Sequence, residues 1–319
     1  MLSDEKLDEK TSEKQGQKLE QEEEEDKFEK YRKAGRAARE VREIARKIVQ
    51  PGTPIIEICE RIESELLKRD VELSFPCNVS LNNVAAHYTS PPDDKTIINE
   101  SDIVKIDFGT HVDGYIADNA FTVGFIPEYD KLIEASEKAL EIAIEIIKPG
   151  VETSLIGKKI EETIKEYGFR PIKDLSGHLL DQYILHSSKI IPNISVPYGT
   201  KIEEGEVYAL ETFATTGSGS VTEAPYAYIY SLMPIRAPLR FKGARQVLSL
   251  VQREYKTLPF AERWLAKKVS KARLKLAIKE LMEKGLLRAY NVLSDRKGSK
   301  VSQAEHTLIV QEDGCEVTT

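Results

Sequence analysis

The sequence predicts a mixed α/β (α+β) fold with an antiparallel sheet, and three observations lead to this class. Apolar residues recur every three to four positions in several segments, which is typical of amphipathic helices. Runs rich in β-branched and aromatic residues lie between these segments and favour strands. Two such runs flank the turn-like stretch 111–114 and predict a hairpin. The chain has 319 residues and 40% hydrophobic content, enough for one large domain of roughly 250 residues with appendages.

The first residues of the chain predict a disordered charged tail. Residues 1–26 hold eleven Asp or Glu, four Lys and no aromatic residue, so they cannot bury enough apolar surface to offset chain entropy. Helical spacing begins near Tyr31 and continues until Pro51 and Gly52 stop it. Three further segments with the same spacing predict helices over 54–68, 131–147 and 154–167.

The predicted strands alternate with these helices along the chain. Extended segments are expected around residues 78–86 and on both sides of the hairpin turn, up to residue 108 and over 115–125. Later runs of the same composition predict strands over 183–190, 207–215, 226–233 and 307–310.

Residues 236–300 differ in composition from the rest of the chain and predict an inserted module. Eighteen Lys or Arg face five acids there. An amphipathic run from residue 272 predicts a helix that ends at Gly285, followed by a short strand over 286–290. This order is typical of winged-helix modules, some of which bind nucleic acid, although a basic outer face on a packed helix is an alternative interpretation. The large domain would then comprise residues 27–235 and 301–319.

Composition excludes several classes of protein. A net charge of −7 argues against a surface that binds polyanions as a whole, although the charge is unevenly distributed. The three cysteines are widely spaced and form no Cys-x-x-Cys motif, which disfavours a disulfide framework and a thiolate zinc site and suits a reducing cytosol. No run approaches the roughly 20 apolar residues that cross a bilayer, so no membrane contact is expected.

Two carboxylates lie in the predicted hairpin, where a strand should pack. If Val112 and Asp113 form the tip, Asp107 lies directly opposite Asp118, with Cβ atoms roughly 5 Å apart. Two like charges at this distance are unfavourable unless they share a proton or hold a cation. The alternative is that both aspartates simply lie at the solvent-exposed edge of the hairpin.

Three more ionisable residues interrupt apolar runs. Glu211 lies within the predicted strand 207–215, Glu305 within QAEHTLIV, and His178 within LSGHLLDQYILH. His186 follows His178 by eight residues, which would place both on one face if the segment were extended throughout. Four acids and one imidazole without a thiolate suit two first-row divalent ions bridged by carboxylates better than a structural zinc. Each residue also has an ordinary structural alternative, such as a Glu paired with an Arg or a histidine satisfied in the core.

With these residues the sequence resembles a known family, the type 2 methionine aminopeptidases, from about residue 30 to residue 312. The motifs SLNNVAAHYT, KIDFGTH, DGYIADNAFTV, GH followed by QYILH, EEGEVYALETF and AEHT occur in the order found in that family. The resemblance implies a pseudo-symmetric pita-bread fold with an antiparallel sheet and covering helices, plus a helical winged-helix-like insertion. It also implies that Asp118 and Glu305 bridge two metal ions, within a set of five ligands: Asp107, Asp118, His178, Glu211 and Glu305.

The resemblance further implies substrate contacts and a reaction. His87 would donate a hydrogen bond to the scissile amide, His186 would do so near the substrate carbonyl, and Phe75 would form a wall of an apolar methionine pocket. Glu211 would act as the general base for a metal-bridging hydroxide that removes the N-terminal methionine of nascent proteins. Cobalt, manganese, iron(II) and zinc all suit such ligands.

Two alternatives to this activity stay open. One is a non-catalytic pita-bread-fold protein that binds ribosomes or RNA; such relatives lose metal ligands, whereas all five positions are filled here. The other is a proline-specific peptidase of the same fold, which would need a large N-terminal domain before residue 30. The expected partners are peptides and nascent proteins with an N-terminal methionine and, through residues 236–300, the ribosome. A cytoplasmic monomer is expected.

Overall fold

The computed structural model describes residues 25–319 with their side chains and residues 2–24 only as backbone of the first helix. The tail predicted over 1–26 lies almost wholly outside the residues described with side chains, and its disorder stays a prediction. The helices over the described range are α1 (Leu2–Ile48), α2 (Ile55–Leu67), α3 (Asp130–Ile146), α4 (Thr153–Glu166), α5 (Lys242–Glu254), α6 (Glu262–Ala266) and α7 (Lys271–Glu283). Of these, α5 and α6 were not expected from the sequence.

Most of the strands lie in one sheet. They are β1 (Glu72–Leu81), β2 (Val84–Ala86), β3 (Ile103–Val112), β4 (Tyr115–Gly124), β5 (Arg170–Pro171), β6 (Ser176–Leu179), β7 (Ile190–Pro192), β8 (Val207–Thr215), β9 (Thr222–Leu232), β10 (Phe260–Ala261), β11 (Leu287–Ser294), β12 (Val301–Gln311) and β13 (Gly314–Val317). The larger sheet has nine strands in the order β1-β3-β4-β12-β8-β6-β7, with β13 paired to β12 and β5 to β8. Its pairings are antiparallel, which confirms the predicted class.

Two helices cover each half of the larger sheet, so the two halves are built alike. Helices α1 and α2 pack on β1, β3 and β4 around a core that contains Val41, Ile62 and Phe108. Helices α3 and α4 cover the half with β8 and β12, around Ile160 and Leu308. Burying each such side chain contributes roughly 1.5–3 kcal/mol. Because side chains alternate between the faces of a strand, the residues next to Phe108 and Leu308 point to the other face.

The hairpin is present, but its register differs from the predicted one by two residues. The tip is formed by Asp113 and Gly114, both with positive φ (51° and 88°), as the two central residues of a type I′ turn require. Asp107 is therefore in register with Ala120, and Asp118 with Gly109. A shift of two residues keeps both aspartates on the same face, so they are diagonal neighbours rather than directly opposed.

The strand predicted over 183–190 is wrong. The chain leaves β6 at Leu179 and turns, with an isolated bridge between Asp181 and Ile184, before β7 begins at Ile190. Tyr183 has a positive φ of 58°, which a continuous strand would not allow. Its N–H donates to the Gly114 carbonyl at 2.8 Å, so the hairpin tip holds this loop.

The basic segment forms a small module with its own core. Helices α5, α6 and α7 pack together with β9, β10 and β11 around Val247, Leu265 and Leu281. The second sheet has the order β10-β9-β11-β2, so β11 joins this module to β2 of the main domain. A buried ion pair between Arg263 and Glu63 also links α6 to α2. Both β11 and α6 of the module thus contact the main domain.

The cysteines are free thiols in the described part of the chain, with Cys59 and Cys77 buried and Cys315 partly buried. Over the same residues, none of the helices combines the length and apolar character needed to cross a membrane.

Candidate metal centre

Three acids lie in one row across neighbouring strands of the larger sheet. Asp107 (β3) and Glu305 (β12) are both in register with Ala120 (β4). Glu305 is also in register with Glu211 (β8). By strand alternation these three side chains point to the face away from the helices α1 to α4.

The other two predicted ligands lie one step along the same face. Asp118 lies two residues before Ala120 on β4, and His178 on β6 is in register with Ala209, two residues before Glu211. Two residues of a strand span roughly 6.6 Å, so the second row faces the first across a gap of that size. Five neighbouring strands therefore bring the five residues together, although up to about two hundred residues of chain separate them.

Asp118, His178 and Glu305 form the tightest part of the site. One ligand atom from each lies within 4.8 Å of the others. His178 Nε2 lies 3.9 Å from Asp118 Oδ2. All three residues are buried, with relative exposures of 4%, 5% and 2%. Asp107 and Glu211 line the same cavity beside this cluster.

Burial and mutual repulsion oppose ionisation of the acids. Burial raises the pKa of Asp107 to about 7. Burial first, and then the charges of neighbouring carboxylates, raise the pKa of Asp118, Glu211 and Glu305 well above the usual range. Burial lowers the pKa of His178 to about 4, so its ring is neutral at pH 7 and keeps a lone pair. A cation among the acids would turn the repulsion into attraction and keep them ionised.

Three polar atoms at the site have no hydrogen-bond partner among the described residues: Asp107 Oδ1, Asp118 Oδ1 and His178 Nδ1. Such atoms are uncommon, because a buried polar atom without a partner costs about 1–3 kcal/mol. Carboxylate oxygens and imidazole nitrogens are ligand atoms for divalent ions of the first transition row. The residues present therefore fit a divalent metal site.

His87 lies just after β2 in the left-handed region, with φ of 66°, which is uncommon for a residue other than glycine. Its Nδ1 lies 3.1 Å from the carbonyl oxygen of Asn291, which can only accept a hydrogen bond, so Nδ1 carries the proton. Burial lowers the pKa of His87, so the ring is neutral and Nε2 is left as an acceptor. The Tyr290 ring packs edge-on against it, with centroids 5.5 Å apart.

His186 reaches the site from the loop between β6 and β7, not from a strand. Its ring centroid lies 4.4 Å from that of His178 and 6.2 Å from that of Tyr290. The N–H of Ser187 donates to the Leu179 carbonyl at 2.9 Å and holds this part of the loop. His186 is exposed, so it lies on the open side of the site, where a substrate can reach it.

A cavity of about 330 Å³ is lined by all eight residues predicted for the site: Phe75, His87, Asp107, Asp118, His178, His186, Glu211 and Glu305. Sequence reasoning missed further lining residues, among them Asn78, Ile229, Tyr290 and Asn291. Tyr290 and Asn291 belong to β11, within the predicted insertion. The strand predicted over 286–290 includes Tyr290 but ends before Asn291, and its pattern did not indicate a site.

The fold and this ligand set define a class, the metallopeptidases of the pita-bread fold. Residues 29–243 match the family model described as metallopeptidase family M24. The methionine aminopeptidase of Pyrococcus horikoshii is 47% identical over 277 residues, which cover 86% of this chain and 93% of that protein. The methionine aminopeptidase of Methanothermobacter thermautotrophicus is 45% identical over 278 residues, again 86% and 93%. The chain therefore belongs to the methionine aminopeptidases of family M24, which confirms the resemblance.

Solved structures support the same fold. A thermophilic Arx1 superposes with a TM-score of 0.81 at 22% identity, over 92% of this chain and 90% of that chain. The methionine aminopeptidase of Thermotoga maritima has a TM-score of 0.67 at 22% identity, over 92% and 96%. The prolidase of Pyrococcus furiosus has a TM-score of 0.57 at 18% identity, over 92% and 64%. At these identities the likeness concerns the fold alone, and the predicted pita-bread fold is confirmed.

Proposed function

We propose that this chain is a metal-dependent aminopeptidase that removes the N-terminal methionine from nascent proteins. The observation that carries the proposal is the convergence of four acids and one neutral imidazole on one cavity, in a chain of this family. The non-catalytic alternative is not favoured, because every predicted ligand position is filled. The proline-specific alternative is not favoured either, because the relatives at 40–47% identity are named methionine aminopeptidases.

Two divalent ions would be held by the five residues in the two rows. The membership of both Asp118 and Glu305 in the tight cluster with His178 supports their role as ligands. Bound ions would acidify a water molecule toward neutral pH and polarise the substrate carbonyl. Whether cobalt, manganese, iron(II) or zinc is used in the cell depends more on availability than on these ligands.

Glu211 would take the proton from the attacking water and later return it to the leaving amine. Gln303 Nε2 donates to Glu211 Oε2 at 3.2 Å and so orients the carboxylate. For His87 the tautomer alters the expectation from sequence: Nε2 accepts a hydrogen bond, so it would receive the N–H of the scissile amide rather than donate to it. His186 has no hydrogen-bonded ring nitrogen among the described residues and keeps a donor for the substrate carbonyl.

The methionine side chain would lie against the apolar side of the cavity, which Phe75 and Ile229 help to form. The Phe75 ring packs directly against Gly109. A Cβ atom added to Gly109 would lie only 2.3 Å from Cε1 of Phe75. Gly109 is in register with Asp118, so this contact brings the aromatic wall beside the proposed metal ligands. The cleaved bond and the methionine side chain would thus occupy adjoining parts of one cavity.

Elemental analysis and peptide cleavage test the proposal directly. The chain, purified without added metal, is expected to contain divalent transition ions and to release methionine from a Met-Gly peptide. It should leave an N-acetylated copy of that peptide and an Xaa-Pro peptide intact. Cleavage of the Xaa-Pro peptide alone would identify the proline-specific alternative, and a chain with neither metal nor activity would identify the non-catalytic one.

The basic segment supports a second role, docking on the ribosome. An open groove between α5 and the start of α7 is lined by five cations: Lys242, Arg245, Arg253, Lys268 and Arg273. Glu254 pairs with two of them, Arg253 and Lys268. The other three form no ion pair with the described acids, although Arg245 Nη1 donates to the backbone carbonyls of Leu239 and Arg240. Their charges would attract phosphate groups, which dominate the affinity of proteins for nucleic acids.

Docking through this groove predicts a strong dependence on salt. Three phosphate contacts would weaken binding roughly tenfold or more between 50 and 200 mM salt. Co-sedimentation with ribosomes at both concentrations measures this, with a Lys242→Glu and Arg273→Glu double variant expected to lose binding at low salt. Binding that changes neither with salt concentration nor with the substitutions would rule out electrostatic docking through this groove.

We also place the chain in the cytoplasm as a monomer. The free cysteines support a reducing compartment. Sedimentation of the purified chain at the mass of one copy would support the monomer, and twice that mass would contradict it.

A further inference from the structure

Lys105 is a fully buried lysine, with an exposure of 0%. Lysine is almost never fully buried unless it is paired, yet Lys105 makes no ion pair with the described acids. Its Nζ instead donates to two backbone carbonyls, that of Asn82 at 3.1 Å and that of Val301 at 3.0 Å. It does not line the cavity, and neither the metal ligands nor the substrate contacts account for it.

The two carbonyls belong to segments that lead to the proposed site. Lys105 itself lies on β3, two residues before Asp107 and on the same face. Val301 begins β12, four residues before Glu305. One amine therefore joins three pieces of chain, two of which are strands that carry proposed metal ligands.

The third piece is the turn between β1 and β2, which leads to His87. Asn82 has a positive φ of 54° and His87 one of 66°, so two residues in a six-residue stretch are in the left-handed region. Such conformations persist only when surrounding contacts fix them. The Asn82 carbonyl accepts both Lys105 Nζ and, at 3.1 Å, the N–H of Val301. The turn is thus held mainly by contacts distant in sequence.

We propose that Lys105 is a positioning residue, which holds the turn that leads to His87 at a fixed place relative to Glu305. The inference rests on the proposed role of His87. A carbonyl oxygen accepts a hydrogen bond from the amine in either protonation state, so the role does not depend on titration of Lys105. Loss of the amine would let the turn move and displace Nε2 of His87 from the scissile amide, where small displacements reduce the rate.

A double-mutant cycle tests whether Lys105 acts through His87. Lys105→Met is expected to lower kcat at least tenfold while KM stays within about twofold and metal content is unchanged. In a His87→Ala background the same substitution should change kcat less than twofold, because residues that act as a unit are not additive. Amide hydrogen exchange over residues 82–87 should become faster in Lys105→Met.

Lys300→Met is the matched control. Lys300 Nζ also binds Asn82, through Oδ1 at 2.5 Å, but Lys300 is partly exposed and contacts neither of the two carbonyls. The Lys300→Met variant should change kcat less than twofold and leave amide hydrogen exchange over residues 82–87 unchanged. Lys105→Gln keeps an N–H donor for one carbonyl and should therefore give an intermediate kcat. This variant also tests the role of Lys105 if Lys105→Met does not fold.

The outcomes separate the inference from the function on which it rests. An unchanged kcat in folded Lys105 variants, or an equal loss with and without the His87 side chain, would overturn the positioning role and leave the proposed function intact. A normal kcat in His87→Ala would overturn the role of His87 and the inference with it, while cleavage of Met-Gly would still stand.

Discussion

Glu305→Gln is expected to abolish peptide cleavage and to remove bound metal from the purified chain. Glu305 has an exposure of 2%, is in register with Glu211, and belongs to the tight cluster with Asp118. Glutamine keeps the shape of the side chain but offers a neutral amide in place of a charged oxygen. Substitution of a residue that only contacts a metal ligand typically lowers metal affinity or activity by about 10–100-fold. Loss of a ligand itself should therefore lower turnover by more than about 10²-fold.

Metal content and methionine release measure this effect, and thermal unfolding separates it from a folding defect. Burial and the charges of its acidic neighbours raise the pKa of Glu305, so neutralising it should relieve repulsion when no cation is bound. The variant, after treatment with a chelator, should therefore unfold at or above the temperature of the equally treated parent. Glu312→Gln, an exposed acid just beyond β12, should retain metal and turnover. A Glu305→Gln chain with full metal content and turnover would remove Glu305 from the site.

The hairpin illustrates what local sequence can predict about the site. Its existence and the common face of its two aspartates were predicted from composition and alternation, and both hold. The register was wrong because Val112 and Asp113 were taken as the tip, whereas Asp113 and Gly114 form it. Asp-Gly is a strong type I′ turn signal, so the right register was available in the sequence. An error of one residue would have moved every side chain to the other face, whereas an error of two preserved the acidic pair.

His178 on β6 and His186 in the loop after it were correctly expected to lie close together, but the argument for it was wrong. Even spacing of His178 and His186 suggested one face of a single strand, but the chain turns between them and the rings still lie 4.4 Å apart. The turn depends on distant contacts: Lys256 Nζ lies 3.7 Å from the centroid of the Tyr183 ring, and Thr257 Oγ1 donates to the Tyr183 carbonyl. Both partners come from the basic segment, more than seventy residues away.

Residues that act on the site from a distance had no local signal. Asn291 meets His87 only because β11 pairs with β2, and the two residues are 204 positions apart. In the sequence, Lys105 is a polar residue of an alternating strand. None of its sequence neighbours indicates that it binds the carbonyl of Val301, 196 residues later. Metal-ligand types can be recognised one residue at a time, whereas these partners are defined only by the completed sheets.

His186→Ala is expected to keep its metal and lose rate, whereas His178→Ala beside it should lose both. The two rings are 4.4 Å apart, but His178 is buried within the cluster of proposed ligands, whereas His186 is exposed on the open side. Removing one donor to a developing oxyanion typically lowers kcat by about 10²–10³-fold. We expect kcat of His186→Ala to fall by about 10²-fold, in keeping with this range, with metal content unchanged.

Parallel measurement of metal content and kcat in both variants distinguishes a ligand from a substrate contact. His178→Ala should lose metal and activity together, because it removes the only imidazole of the tight cluster. Ser188→Ala, two residues from His186 in the same exposed loop, should leave both quantities as in the parent and shows whether the loop tolerates substitution. If His186→Ala lost metal as well, His186 would itself be a ligand, and the donor to the substrate carbonyl would have to come from another residue of the cavity. The His186 ring stacks on Tyr290, a residue of β11 in the second sheet. If His186→Ala keeps its metal and loses rate, the second sheet therefore supports the substrate side of the cavity. The larger sheet then supports the metal side.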